Sequence, residues 1–304
     1  MIATSRLVRR SVLLVSALDQ DAVTAASRSD ADVIALGMPS DIAAARAVLP
    51  EAIAVAARGG AEVFVDIDKA RAYAQVRAAV VPELTGIVVL NAETSDEINK
   101  LADMLRERER DEGIPTGTLE IFPLIGTARG VWNVREVVTA SPRVHSVAID
   151  EPALCRSIGV VPTDAFDPLS FSRGRVIVET LAAIKLPLGM GHPLGASPRE
   201  VDENALMQVA DRARNSGFKG ALCPFPSWVA VCNKAFTPSD EQVAYYREVR
   251  KAFADGVKRG TAAVPFPGGH MIDVPVDERA KLVIDWWERC QARDAAKSGA
   301  RELR

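Results

Sequence analysis

Several short stretches carry side chains able to do chemistry, and most of them stand just after an apolar run. Asp150 and Glu151 are adjacent after residues 144–149 and could hold a metal ion between them. The same pair reads as a helix start, with Asp150 capping and Pro152 in the first turn. His192 lies in Gly189-Met190-Gly191-His192-Pro193, where an imidazole could exchange a proton or meet an anion, or stand in solvent. Cys223 ends the run 220–223 beside Pro224, placed for a nucleophile but equally a small buried apolar side chain. Arg129 and Gly130 could aim backbone N–H groups at a phosphate or carboxylate, a site that needs no metal. Glu93 could orient a ligand or only complement a helix dipole. His145 begins its run, on the opposite rim, and reads as structural.

These residues need a scaffold that brings run ends together. Eight short apolar runs, many β-branched, occupy residues 12–15, 32–36, 62–67, 86–90, 119–125, 144–149, 186–190 and 220–223. Near-continuous apolar strands suit a parallel sheet buried on both faces. Helical spacing fills the gaps, as with Ile98, Leu101 and Leu105 after Glu93-Thr94-Ser95-Asp96. Eight βα repeats without a G-x-G-x-x-G element favour an α/β fold of the TIM-type (β/α)8 barrel kind over an open dinucleotide-binding sheet. Residues 1–236 are expected to form the barrel. Ser239 and Gln242 mark a further helix start by the pattern of a capping box. Residues 237–294 then form a C-terminal helical extension with an apolar arm, expected to pack on a neighbouring subunit or close the barrel's open end. Residues 295–304 are small and charged and are expected to fray.

Composition narrows the function classes. A chain of 304 residues with 48% hydrophobic and 25% charged content is ordinary globular material. Its formal charge of −3 offers no basic field for a polynucleotide or an anionic membrane. Phe64, Trp132 and Trp228 are scattered rather than interleaved with basic clusters, so nucleic acid is not an expected partner. The apolar stretch after Arg10 is cut by Asp19, too short for a secretory core or a membrane span. Cys155, Cys223, Cys232 and Cys290 show no C-x-x-C spacing and read as reduced thiols of a cytoplasmic protein.

At Pro123–Val134, which contains Ile125-Gly126-Thr127-Ala128-Arg129-Gly130-Val131, the sequence resembles a family. This is the citrate lyase β-subunit-like branch of the HpcH/HpaI aldolases, whose corresponding turn runs proline-leucine-isoleucine-glutamate-threonine-alanine. Arg10-Ser11-Val12-Leu13-Leu14-Val15 and Ala31-Asp32-Val33-Ile34 resemble its first two strands. Gly217-Phe218-Lys219-Gly220, Asn233-Lys234-Ala235-Phe236-Thr237-Pro238-Ser239 and Met271-Ile272-Asp273-Val274-Pro275 follow in the family's order, and the collinearity spans most of the chain. The resemblance implies a carbon–carbon lyase scaffold acting on acyl-coenzyme A or acyl-carrier thioesters and oxo acids. It also implies Mg²⁺ as cofactor and assembly as a trimer or hexamer.

The same resemblance exposes departures. The metal-binding carboxylates of the family fall on Gly126 and Ala153, so no metal ligand is expected from those positions and no cofactor is assigned. The substrate-holding arginine of the third strand falls on Phe64, and the lysine after the fourth strand on Asn91, with Glu93 kept. The acidic end of the second strand reads Ala35-Leu36-Gly37-Met38-Pro39-Ser40-Asp41. Met190, Ala221 and Phe225 replace further polar positions, and an aspartate-glycine-lysine element of the tail reads Gly268-Gly269-His270. Without metal or arginine, the enolate of a retro-aldol step has no electrophile to stabilise it.

Three functions follow as expectations. The first is a divergent lyase or thioester hydrolase using relocated Asp150, Glu151 and His192, with Cys223 a further candidate. The second is a non-catalytic barrel that binds a coenzyme A-type thioester, alone or mixed with an active paralogue, and whose mouth is lined by Phe64, Met190 and Phe225. The third is unrelated chemistry on the inherited frame. Loss of the family's Mg-dependent chemistry is the expected outcome.

Overall fold

Each apolar run becomes a strand, and each gap a helix. The computed structural model describes residues 7–261, 263–266 and 270–302. The strands are β1 (Ser11–Ser16), β2 (Val33–Gly37), β3 (Glu62–Ile67), β4 (Gly86–Val89), β5 (Glu120–Ile125), β6 (Ser146–Ile149), β7 (Leu186–Leu188) and β8 (Ala221–Cys223). Between them lie α1 (Gln20–Ser27), α2 (Ile42–Ala57), α3 (Ala72–Ala79), α4 (Ser95–Asp111), α5 (Ala128–Trp132), α6 (Val134–Thr139), α7 (Glu151–Ile158), α8 (Ser170–Ala182) and α9 (Glu203–Ser216), with α10 (Trp228–Ala235) after β8. All eight strands pair in parallel, in chain order from β1 to β7, and β8 lies beside β1. Across the β7/β8 seam Lys219 N donates to Pro187 O and Gly189 N donates to Gly220 O, each at 2.9 Å. The sheet therefore comes round on itself as a TIM-type (β/α)8 barrel, as the repeat pattern predicts.

Strand parity divides the side chains into two cores. Leu13, Ile34, Val63, Val65, Ile87 and Val89 face outward and meet the helices. Val12, Val33, Ala35, Phe64, Val88, Phe122, Leu124 and Leu188 face inward and fill the barrel axis. Because both faces are apolar, the period of two is hidden in the sequence.

At the N-terminal end of the axis the filling is charged. Arg9 is fully buried and donates to Glu62 at 2.5 Å, Glu120 at 2.8 Å and Ser146 at 2.7 Å. Its guanidinium also lies 5.0 Å from the centroid of the Phe64 ring. Such a cation is tolerable in the interior only because its donors are consumed.

The C-terminal segment supplies α11 (Asp240–Lys258), the antiparallel pair β9 (Val264–Phe266) and β10 (His270–Ile272), and α12 (Val274–Glu302). The Ser239/Gln242 capping box that opens α11 is formed as expected. Helix α12 lies against the base of its own barrel. Trp286 packs on the interior cluster and donates its indole N–H to Phe236 O at 2.8 Å. Asp32 is fully buried and pairs with Arg10 at 2.9 Å and Lys297 at 2.6 Å. Burial opposes the Asp32 charge, yet the two cations outweigh it and hold the carboxyl below its ordinary range.

Two expectations change here. Residues 295–302 are helical rather than frayed, because Lys297 and Arg301 tie the end of α12 to Asp32, Asp30 and Ser29. The extension also does not close the open end, since α12 sits at the opposite one. Gly268 and Gly269 of the tail element lie outside the described residues. Among the described residues no helix is long and apolar enough to cross a membrane.

Replacing Asp32 by Ala removes the buried carboxylate between Arg10 and Lys297 and leaves them to share the more exposed Asp294. The expected loss of unfolding free energy is about 3–5 kcal/mol, measured by urea denaturation. A variant as stable as the parent would refute the anchoring role.

Candidate functional site

At the C-terminal ends of the strands two adjoining cavities, of about 340 Å³ and about 200 Å³, share Leu14, Leu124, Asp150 and Leu222 as walls. The larger one sits over the barrel axis, with Ala35, Val88 and Phe122 beneath it and Asp66 at its side. The smaller one runs between β6, β7 and β8 against Met190, Leu194, Pro224 and Trp228. Inward-facing Leu14 remains 43% exposed there, which marks an apolar opening rather than a sealed core. Among the described residues no lysine, arginine or histidine lines either cavity. The mouth is apolar apart from Asp66 and Asp150, with Glu151 bordering the smaller cavity.

The two positions expected to hold a metal do come together. A Cβ built on Gly126 would lie 2.9 Å from the Ala153 Cβ and 3.5 Å from the Asp150 Cβ, and it would overlap the Asn91 side-chain oxygen. Carboxylates at 126 and 153 would thus share one ion. Here a bare α-carbon, a methyl group and a neutral amide occupy that point, and the one carboxylate beside it, Asp150, is engaged with Ala153 N. Mg²⁺ is held by carboxylates and keeps much of its water, so this donor set does not fit it. Among the described residues no three His, Cys, Asp or Glu side chains converge as a metal site.

Asp150 turns inward far enough to line both cavities, while its Oδ1 accepts from Ala153 N at 3.0 Å. Both readings of this residue are therefore realised at once: it caps α7 and faces the mouth. Glu151 does not join it. The Glu151 carboxylate is buried in a bidentate pair with Arg173, at 2.8 and 2.9 Å, and Arg173 extends to Asp167 at 2.6 Å. Burial still pushes the Glu151 carboxyl up, against the pull of Arg173. Its second oxygen is spent, so the relocated metal pair is not assembled. His192 faces the same network, with Nδ1 3.9 Å from Asp167 and Nε2 3.3 Å from the Asp164 carbonyl oxygen, and lines neither cavity.

Cys223 points away from the mouth. It is fully buried between sheet and helices, and burial together with neighbouring Cys232 pushes its thiol well up. It is the small apolar residue of the alternative reading, not a nucleophile. Phe64 is likewise displaced from its expected place. It pairs in register with the first residue of β4, one layer below the mouth, where it meets Phe122 edge-on at 5.7 Å. Phe122 lines the cavity instead. Met190 is a wall of the smaller cavity, whereas Phe225 packs on Trp228 outside both linings.

The Arg129/Gly130 turn is committed internally. The Gly130 N–H donates to the Thr127 hydroxyl at 3.0 Å, and the glycine is required because a Cβ would overlap the Ala92 carbonyl. Arg129 is exposed at the rim. Glu93 is held by Thr127 and by Lys69 at 3.2 Å, which lower its carboxyl below the ordinary range. His145 sits near Glu120 and Arg9 at the base, and burial lowers its pKa, in keeping with a structural role.

The residue that sequence reasoning missed is Asp66. Its carboxylate accepts from Met38 N and faces the larger cavity. Burial raises its pKa, and the Met38 N–H only partly opposes this. The available signal was parity, since Glu62, Phe64 and Asp66 alternate on one face of β3 and the last of them reaches the mouth.

Residues 10–223 match the family model described as HpcH/HpaI aldolase/citrate lyase. A citrate lyase subunit beta-like protein of Deinococcus radiodurans is 26% identical over 290 residues, 90% of this chain and 96% of that protein. The citrate lyase subunit beta of Leuconostoc mesenteroides subsp. cremoris is 22% identical over 285 residues, 91% and 92% of the two chains. A citrate lyase crystal structure from Burkholderia xenovorans LB400 superposes with a TM-score of 0.74 at 14% identity, over 98% and 96% of the chains. That of CitE from Mycobacterium tuberculosis in complex with magnesium, acetoacetate and coenzyme A gives 0.66 at 22% identity, over 93% and 99%. At these identities the structural likeness shows the fold alone.

A raised folded-state pKa at Asp66 means that the folded protein binds the extra proton between about pH 4, the ordinary aspartate value, and that raised value. Stability contributed by this group is thus present below about pH 4 and lost as pH rises. The Asp66→Asn variant is expected to melt higher than the parent at pH 7, with the difference shrinking toward pH 4. Thermal melts across that range check it; a variant less stable at pH 7 contradicts it.

Proposed function

The chain belongs to the HpcH/HpaI aldolase/citrate lyase family, and from that premise we propose a barrel that binds a thioester without performing the Mg²⁺-dependent cleavage. One observation carries this reading: Gly126 and Ala153 stand together with the Asn91 amide against Gly126, where the family's two metal-binding carboxylates would fall. An enolate-forming step needs a metal or a cation to absorb developing charge. Among the described residues no cationic side chain lines the mouth.

The ligand follows from the walls. An oxo acid would bring its carboxylate against Asp66 and Asp150 with no compensating charge, which is unfavourable in a desolvated cleft. The uncharged acyl group of a thioester suits Leu14, Leu124 and Leu222. The family's solved CitE complex holds coenzyme A together with acetoacetate and magnesium; here the coenzyme A-type part is retained and the other two are not. Assembly as a trimer or hexamer, with copies of itself or with an active paralogue, belongs to the same reading and gives the bound barrel a regulatory role.

Calorimetry on the whole chain tests the proposal. Acetyl-coenzyme A is expected to bind saturably and equally well with EDTA or with millimolar Mg²⁺, and Leu14→Asp is expected to weaken it about tenfold by adding a charge to an apolar wall. L-malyl-coenzyme A is expected to remain uncleaved with Mg²⁺ present. Metal-dependent cleavage of that thioester, or acetyl-coenzyme A binding that requires Mg²⁺, would overturn the reading.

A further inference from the structure

The base of the barrel carries a groove of the opposite electrostatic sign. Positions 279, 282 and 286 repeat at i, i+3 and i+7, so one face of α12 presents Arg279, Leu282 and Trp286 together. Facing them are Phe236, Lys219 and Arg214 from the end of the barrel. The groove encloses about 340 Å³, inside the ~300–1,000 Å³ range of small-molecule sites. Three of its lining side chains are cations, and no aspartate or glutamate lines it.

Lys219 is the informative member. It is half-buried in the loop that hydrogen-bonds β7 to the start of β8. Its ammonium lies 5.6 Å from the centroid of the Trp286 ring, and among the described residues it has no carboxylate partner. The indole cannot turn away freely, because its N–H is engaged by Phe236 O. Burial lowers the Lys219 pKa, and nearby Arg214 lowers it further. Among the described residues Arg214 pairs only with Asp211 on its own helix, at 3.2 Å, and Asp211 is not part of the groove. Arg279 is exposed and has no ion pair among the described residues. A partly desolvated ammonium beside two guanidinium groups and aromatic walls is a costly arrangement without a counter-charge. An anion that brings its own apolar surface relieves it.

We propose that this groove is a second binding site, for a small carboxylate or phosphate whose charge meets Lys219, Arg214 and Arg279. The apolar body of the ligand lies against Leu282, Phe236 and Trp286. The site is at the end of the barrel away from the thioester cleft and stands whether or not that cleft binds a thioester.

Titration calorimetry on the whole chain uses octanoate and phenyl phosphate as probes, with octylamine as the oppositely charged control. Saturable binding of either anion, and none of octylamine at this groove, is expected; which anion binds distinguishes carboxylate from phosphate ligands. Lys219→Met keeps the packed stem and is expected to weaken anion binding about tenfold, the worth of one charge-assisted contact. Arg279→Ala alters only an exposed side chain and is expected to weaken it several-fold. Asp66→Asn, at the mouth, is expected to leave it unchanged. The proposal fails if neither anion binds saturably, if both base variants bind as the parent does, or if only the Asp66 variant changes the affinity.

Discussion

A parallel barrel must fill its own axis, and in this chain the filling begins with one buried cation. Arg9 is clamped between Glu62 and Glu120 with Ser146 completing its donors, so strands β3, β5 and β6 are drawn to a common point. Phe64 rests on that guanidinium, Phe122 leans on Phe64, and the mouth opens only above Phe122. Each inward layer is set by the one beneath it. The depth at which a side chain meets the solvent is therefore decided at the base, far from the cleft where ligands enter.

That stacking explains which parts of the molecule were legible from residues alone. Strands buried on both faces need continuous apolar runs, and those runs stand out against polar helices; 62–67 matches β3 to the residue. Parity and depth are another matter. Nothing in the run 62–67 says that Phe64 is a layer too low to line the mouth or that Asp66 is the residue that reaches it. Cys223 faces the helices because of the register of β8 against β1, a relation between segments about 200 residues apart.

Charged residues were misread for a related reason. Glu151 looks available beside Asp150, yet Arg173 from α8 takes both its oxygens. The tail 295–302 looks unattached, yet Lys297 reaches across the whole sequence to Asp32. In both cases the deciding partner is remote in sequence and the local composition carries no trace of it. The resemblance to a family singles out positions 126 and 153, which spacing alone does not connect, and a β-carbon built at 126 lies 2.9 Å from that of Ala153.

The Asn91 amide standing over Gly126 limits what position 126 can become. Any side chain introduced at 126 meets that oxygen, and its β-carbon crowds the one at 153. An acidic side chain placed at 126 alone therefore has to swing the flexible Asn91 tip aside, and its β-carbon still presses on the Ala153 methyl. Redesign of this corner toward an acidic pair thus has to treat 91, 126 and 153 together, because their side chains share one small volume.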